Sequence, residues 1–378
     1  MRHQNSVFHD LLKHVPWSAF EQLVDEHGAD RRIRRLSTKS QFVALLYAQF
    51  AGATSLREIV TGLASHATRL YHVGAVKVCR STLADANALR SADVFVDLFT
   101  RMMKQAHRGL RRKLAEAVYL IDSTGLPLTR LSSDFARFSK KAVGAKLHLI
   151  YDPDADRPVY TAVTPARVND ITAAQAMPIE PGATYVFDLG YYDYRWWAEL
   201  DAAGCRIVTR FKANTPLQCI ETRPVEGAIL SDRIGFLPKR QAKSRRNPMQ
   251  APVREVCIAT ETGKLLRILS NDLDASAQEI ADLYKKRWAI ELFFRWIKQN
   301  LKITRFLGTS ENAIRIQIAI ALIAFLLLRL AQAAQQKVKS PLAFIRLVRA
   351  NLMHRRRIDQ LLAPGPSALA PPAQLSLF

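Results

Sequence analysis

Three carboxylates and one basic stripe have the types and spacing that chemistry needs. Asp122 closes the apolar run AVYLID and is followed by Ser-Thr-Gly; Asp188 closes TYVFD and is followed by Leu-Gly-Tyr. In an open α/β sheet, ligands sit outside the carboxyl ends of the strands, so two such endings would put two carboxylates at one edge. The alternative is that each aspartate caps a turn or the next helix. The third carboxylate, Glu291, belongs to a different pattern. Tyr284, Arg287, Glu291 and Lys298 stand at offsets 0, 3, 7 and 14, which places all four on one face of a helix. The remaining positions include Trp288, Ile290, Leu292, Phe293, Phe294, Trp296 and Ile297. So apolar a helix packs on most sides, and its polar stripe either lines a cleft or is a surface stripe with an Arg287–Glu291 pair of roughly 0.2–0.5 kcal/mol. Oxygen donors without clustered His or Cys suit Mg²⁺ or Mn²⁺ rather than zinc. His148, the nearest imidazole, lies on a strand and is expected at the edge of the core.

The elements that must position these residues follow from periodicity. Residues 1–115 read as a helical domain, with apolar positions at helical spacing in FHDLLKHVPWSAFEQLV and KSQFVALLYAQF. From Ala117 the pattern becomes strand-like: AVYLID, VGAKLHLIYD and RPVYTAVT, then a helix opened by Asn169-Asp170, TYVFD, the helical DYRWWAELDAAG and CRIVTRF. Asp152-Pro153-Asp154-Ala155-Asp156 resembles the start of a calcium loop, but Arg157 stands where that loop needs glycine, so a hairpin turn is expected. Residues 213–263 are polar and irregular, with short strand-like pieces such as VREVCIAT. KLLRILSND resumes the strand pattern, and Ser276-Ala277-Gln278-Glu279 fits a capping box that starts a helix running without Gly or Pro to about Asn300. The expected divisions are a helical domain over 1–115, two catalytic parts over 116–212 and 264–310, and a β-rich insertion over 213–263 between them. C-terminal helices over 311–360 and a Pro/Ala/Ser-rich tail over 361–378 follow. A mixed sheet flanked by helices is the architecture that serves this order.

Composition narrows the partners. Lys and Arg number 55 against 33 Asp and Glu, a net charge of +22, which points first to nucleic acid and second to an anionic membrane surface. Arg31-Arg32-Ile33-Arg34-Arg35 and Arg108 to Lys113 either track a phosphate backbone or form solvated helix faces. The run Lys239, Arg240, Lys243, Arg245, Arg246 offers the same choice between DNA contact and a solvated loop. The apolar stretch from Ile316 to Leu328 is shorter than the roughly 20 residues that a bilayer span needs, so it is expected to be a buried helix in a soluble protein. Cys79, Cys205, Cys219 and Cys257 show neither zinc-cage nor disulfide spacing, which implies a reducing, cytoplasmic compartment.

At the helical stripe the chain resembles a known family. YKKRWAIELFFRWIK matches the Tyr-x2-Arg-x3-Glu-x6-Lys signature of the insertion-sequence-4 family of DDE transposases at all four positions. YLIDSTGLPL resembles the first-aspartate segment of that family, FDLGYY the second, and IVTRFKAN, with Arg210 and Lys212, the stretch just after it. TPARVNDI is similar to its third-strand exit, and STLADANALR to its helical N-terminal domain.

That resemblance implies an α/β, ribonuclease-H-like core with a β-rich insertion and a helical N-terminal domain. It implies a transposase that binds terminal inverted repeats and carries out metal-dependent strand cleavage and strand transfer. In such enzymes water nicks one strand, the freed 3′-hydroxyl makes a hairpin on the other, the hairpin is reopened, and the same hydroxyl joins target DNA. Asp122, Asp188 and Glu291 would hold two Mg²⁺ or Mn²⁺ ions. Tyr284, Arg287, Lys298, Arg210, Lys212 and the basic run from Lys239 to Arg246 would contact DNA. The partners implied are transposon-end and target DNA and a second copy of the chain, with no membrane and no small-molecule substrate. A nuclease on the same scaffold, or a non-catalytic DNA-binding derivative, are the alternatives.

Overall fold

The computed structural model describes residues 5–31, 33–110, 117–132, 144–240, 246–260, 263–301, 303, 305–335, 337–355 and 357–361; for 106–110, 130 and 360 it describes the backbone alone. By internal packing the chain divides into two units, one of residues 1–99, 300–302 and 316–378, the other of residues 100–299 and 303–315.

The first unit is helical: α1 (Val7–Leu12), α2 (Trp17–Glu26), α3 (Thr38–Ala51), α4 (Leu56–Ser65), α5 (Ala67–Leu70), α6 (Arg80–Leu89) and the start of α7 (Asp93–Leu110). Helix α3 is its hub. Ser37 caps it by accepting from Ser40 N, and Gly52 ends it in the left-handed conformation (φ 74°) that favours glycine. Phe42 of α3 stacks on Phe20 and on Phe95 with ring centroids 5.0 and 5.9 Å apart. The STLADANALR segment forms α6 and latches onto α3: Gln41 donates to buried Asn87 at 2.8 Å, and Arg90 donates to Gln41 at 3.0 Å.

Most of α12 (Glu311–Ala333) and all of α13 (Pro341–Asn351) belong to this unit too, where the Arg349 guanidinium donates to the carbonyl of Phe50. The apolar stretch is thus part of a helix longer than its 13 residues indicate. Helix α12 is long and apolar enough to cross a membrane, but 83% of its most apolar window is buried inside the protein, as in a core helix.

The second unit is built on one nine-stranded sheet. Its strands are β1 (Val118–Pro127), β2 (Gly144–Asp152), β3 (Arg157–Pro165), β4 (Thr184–Phe187), β5 (Arg206–Arg210), β6 (Gln218–Thr222), β7 (Ile229–Phe236), β8 (Val253–Ala259) and β9 (Leu265–Ser270). Their order is β3-β2-β1-β4-β5-β9-β8-β7-β6. Strands β1, β4 and β5 are parallel neighbours and the remaining pairs are antiparallel, so the mixed sheet expected from the element order is what forms. Between β3 and β4 lies α8 (Asp170–Ala174), and between β4 and β5 lies α9 (Tyr194–Ala202). Helix α9 is capped by Asp193 and buries Trp196 and Trp197 against Phe187, Tyr191 and Ile207. The Asp152–Asp156 segment is the β2–β3 hairpin turn, with Asp152 Oδ1 accepting from Asp154 N and Ala155 N.

Three expectations are corrected. Strand β1 does not stop at Asp122 but runs on to Pro127, because antiparallel pairing with β2 continues to Pro127↔Gly144. The parallel ladder with β4 ends at Leu120↔Val186, so Asp122 sits where β1 parts from β4. Residues 213–263 are less irregular than their composition indicates, since β6, β7 and β8 extend the same sheet. The long helix after Ser276 is two helices, α10 (Ala277–Lys286) and α11 (Trp288–Asn300), interrupted at Arg287. There the bonds tighten to Arg287 N→Tyr284 O (3.1 Å) and Ile290 N→Arg287 O (3.2 Å), although φ and ψ stay helical.

Candidate active site

Each carboxylate is placed by a different element. Asp122 is held on β1 with Ser123 N donating to its Oδ1 at 2.7 Å. Asp188 follows β4 and caps the tight turn Leu189–Tyr191, accepting from Gly190 N at 2.8 Å. Glu291 lies on the first turn of α11. Arg287 ties the first to the third: its Nη2 is 2.6 Å from Glu291 Oε1, and its Nη1 is 3.7 Å from Asp122 Oδ2. The side chains of Asp122 and Arg287 are 18% and 16% exposed, so solvent screens this contact far less than it would a surface pair.

The electrostatics reflect crowding of negative charge. Burial raises Asp122 from its ordinary value to about 6; neighbouring Asp188 and Glu291 push the same way, against the Ser123 N–H and Arg287. Burial opposes the charge on Arg287, but Tyr284, Glu291 and Asp122 outweigh it and hold the guanidinium above its usual range. Tyr284 is raised, mainly by burial, with its ring 5.8 Å from the Arg287 guanidinium. Lys298 is lowered by burial alone.

The structure therefore gathers Asp122, Glu291, Arg287 and Tyr284, with Asp188 close enough to act on Asp122. Lys298, two turns beyond Glu291, makes none of the described contacts with this cluster. Arg210, the last residue of β5, and Lys212, two beyond it, line a cavity of about 780 Å³ that Arg233 and Arg267 also line. Lys212 Nζ stands 4.1 Å over the Tyr192 ring. Lys239, Arg240 and Arg246 are exposed, with an isolated antiparallel bridge between Arg240 and Arg246, while Lys243 and Arg245 lie outside the described residues. In the helical unit Arg31, Arg34 and Arg35 are exposed; Arg32 and Arg111 to Lys113 are outside the description.

Sequence reasoning missed Asp170. It accepts from Ser123 Oγ at 2.7 Å and Lys146 Nζ at 3.0 Å, with His148 Nδ1 at 3.7 Å. The available signal was the pair Lys146 and His148, polar at alternate positions of an otherwise apolar strand. His148 is fully buried and bonds Thr164 Oγ1 through Nε2 at 2.7 Å; burial lowers it to about 4, so it is neutral at physiological pH.

As a donor set, Asp122, Asp188 and Glu291 supply only carboxylate oxygens, and their mutual repulsion favours a bound cation, which suits a hard divalent ion. Among the described residues no three His, Cys, Asp or Glu side chains already close as a metal cage, and Arg287 stands between two of the three.

A mixed sheet with clustered carboxylates is an arrangement suited to metal-dependent chemistry on phosphodiesters. The chain belongs to the DDE transposase family: the family model described as Transposase DDE domain matches residues 113–327. A second model, for a domain of unknown function, matches residues 3–76. The chain is 39% identical over 289 residues to a putative transposase, y4zB, of Sinorhizobium fredii, covering 75% of this chain and 80% of that protein. It is 28% identical over 270 residues to a probable transposase for insertion sequence element IS5377 of Geobacillus stearothermophilus, covering 68% of each. The fold resembles a piggyBac transposase in a cryo-EM structure of its synaptic complex with hairpin DNA, with TM-score 0.50, 12% identity, and coverage of 95% of this chain and 82% of that one. The protein is thus a bacterial insertion-sequence transposase that acts on DNA by cleavage and strand transfer, chemistry that in this family depends on divalent metal.

Proposed function

We propose that Asp122, Asp188 and Glu291 are the catalytic carboxylates of this transposase and hold two Mg²⁺ or Mn²⁺ ions. Asp122 and Asp188 would share the ions and Glu291 would complete the second site. The bound ions supply Lewis acidity to the attacking and leaving oxygens of the phosphodiester. The observation that carries the reading is Arg287, whose guanidinium engages Glu291 and faces Asp122 from a buried position. Before DNA binds, Arg287 offsets the repulsion between those carboxylates. With DNA in place its forked donors turn to a backbone phosphate, a geometry a guanidinium suits. Tyr284 donates a hydrogen bond to the same backbone, and Lys298, Arg210 and Lys212 hold phosphates further along.

The reaction order is a nick by water, a hairpin made by the freed 3′-hydroxyl, reopening, and joining to target. The helical unit reads the terminal inverted repeats, the basic run from Lys239 to Arg246 clamps DNA, and two copies of the chain pair the two ends in the cytoplasm, on the nucleoid. The test uses a supercoiled plasmid carrying the gene with its native flanks. Asp122→Ala, Asp188→Ala and Glu291→Ala should each abolish Mg²⁺-dependent nicking while DNA binding persists. Intact nicking in any of them refutes that assignment. Cleavage by the wild-type protein without joined products would favour a plain nuclease.

A further inference from the structure

Behind the three carboxylates the sheet carries a second polar cluster, and the geometry points to Asp170 as a positioning residue that aligns Asp122 with Asp188. The inference rests on the reading of those two aspartates as catalytic. Register builds the cluster. Ser123 on β1 faces His148 on β2, and Gly125 faces Lys146, so Ser123, Lys146 and His148 share one face of the sheet. Thr164 on β3 pairs with Lys146, bringing its hydroxyl within reach of His148. Asp170, the first residue of α8, comes down onto this face. Lys146 Nζ also donates to Val168 O at 3.1 Å, which fixes the segment that delivers Asp170.

The Asp170 carboxylate then bonds one of these two segments and flanks the other. Through Oδ1 it accepts the Ser123 hydroxyl at 2.7 Å, and the N–H of that same Ser123 holds Asp122 Oδ1 at 2.7 Å. Its Oδ2 lies beside Gly190 without bonding it, and the Gly190 N–H holds Asp188 Oδ1 at 2.8 Å. Space there is tight: a Cβ on Gly190 would stand 3.0 Å from Asp188 Oδ1 and 3.3 Å from Asp170 Oδ2. One half-buried carboxylate therefore bonds the residue after Asp122 and limits the space beside the residue two beyond Asp188. The Lys146 ammonium 3.0 Å from Oδ1 supplies the charge partner a metal ion would otherwise provide, so Asp170 acts through its neighbours rather than as a ligand.

The experiment measures single-turnover nicking of the same plasmid by the full chain, with DNA affinity, melting temperature and Mn²⁺ titration alongside. Asp170→Asn should lower the nicking rate by about 10–100-fold, the usual cost of losing a residue that orients metal-site carboxylates. The DNA concentration for half-maximal rate and the number of Mn²⁺ ions bound should not change. Pairing Asp170→Asn with Lys146→Met removes the unpartnered ammonium while keeping an acceptor for Ser123, and should largely restore the rate. Ser123→Ala leaves the Lys146 ion pair intact and should lower the rate in the same direction. An unchanged rate in both Asp170→Asn and Ser123→Ala overturns the inference. So does loss of a bound Mn²⁺ in Asp170→Asn with no recovery in the double variant, which would make Asp170 a ligand. Asp122→Ala separates the two readings: if it nicks normally the active-site assignment falls, and if it is dead while Asp170→Asn and Ser123→Ala are both normal only the positioning role falls.

Discussion

Arg287 Nη2 reaches Glu291 Oε1 at 2.6 Å from the irregular turn that separates α10 from α11. Here the tightened turn at Arg287 accompanies a guanidinium held between Glu291 and Asp122. Replacing Arg287 with lysine keeps one charge but loses the fork that serves two partners. Arg287→Lys and Arg287→Ala should each slow plasmid nicking by about 100-fold, the scale of losing one aligned donor at a reacting centre. Near-wild-type nicking by Arg287→Lys would show that charge alone suffices.

The raised pKa of Asp122 predicts a pH-dependent stability in metal-free buffer. Its value of about 6 exceeds the ordinary 3.8, so the folded state favours the protonated form. The resulting stability is complete below about pH 4, is lost as pH rises through 6, and leaves a constant penalty above that. Asp122→Asn, which cannot ionise, should therefore be more stable than wild type at pH 7.5 by about 3 kcal/mol, with the difference vanishing near pH 4. Urea unfolding in EDTA at the two pH values measures it. Added Mn²⁺ should stabilise the wild type and do little for the variant.

How far the sequence disclosed this site differs from residue to residue. Glu291 and Arg287 were legible because a helical face is set by local spacing, and Ser276 was legible as a cap because its partner, Glu279 N, is three residues away. Asp188 was legible because β4 does end there. For Asp122 the context was misread: whether β1 stops depends on β2, some 20 residues downstream, and no local signal carries that. The interruption at Arg287 has no Gly or Pro to announce it. Asp170 was hidden for a related reason, since its partners come from two strands and a turn that meet only in the folded sheet.

The buried pair Arg254–Asp232 predicts a fold-level effect away from the site. Both side chains are 3% exposed, and Nε and Nη2 of Arg254 meet Oδ1 and Oδ2 of Asp232 at 2.8 and 2.6 Å. Asp232→Ala would leave the guanidinium buried without its counter-charge, at a cost of about 3–5 kcal/mol. The urea midpoint should fall accordingly. The double variant Asp232→Leu/Arg254→Met should lie closer to wild type, and a single variant as stable as the parent would contradict this account.

The basic run carries a prediction about salt. Changing Lys239, Arg240, Lys243, Arg245 and Arg246 to glutamine should flatten the plot of log affinity against log salt by about 0.9 for each side chain that sits on a phosphate. Fluorescence anisotropy with end-containing duplex DNA reads the slope. An unchanged slope would return the run to solvent.

Strand β5 ends at Arg210, and β9, its immediate neighbour, pairs Ile268 with that same residue. Between those two strands the chain forms β6, β7 and β8, which extend the same sheet outward beyond β9. The segment from Phe211 to Lys264 thus begins and ends on two adjacent strands, so a change of length in its connecting loops can be absorbed without altering the spacing of Asp122, Asp188 and Glu291. Closing a longer loop costs only about 0.6 kcal/mol per doubling. Length changes confined to those loops therefore leave the β1–β4–β5 frame that carries Asp122 and Asp188 as it is.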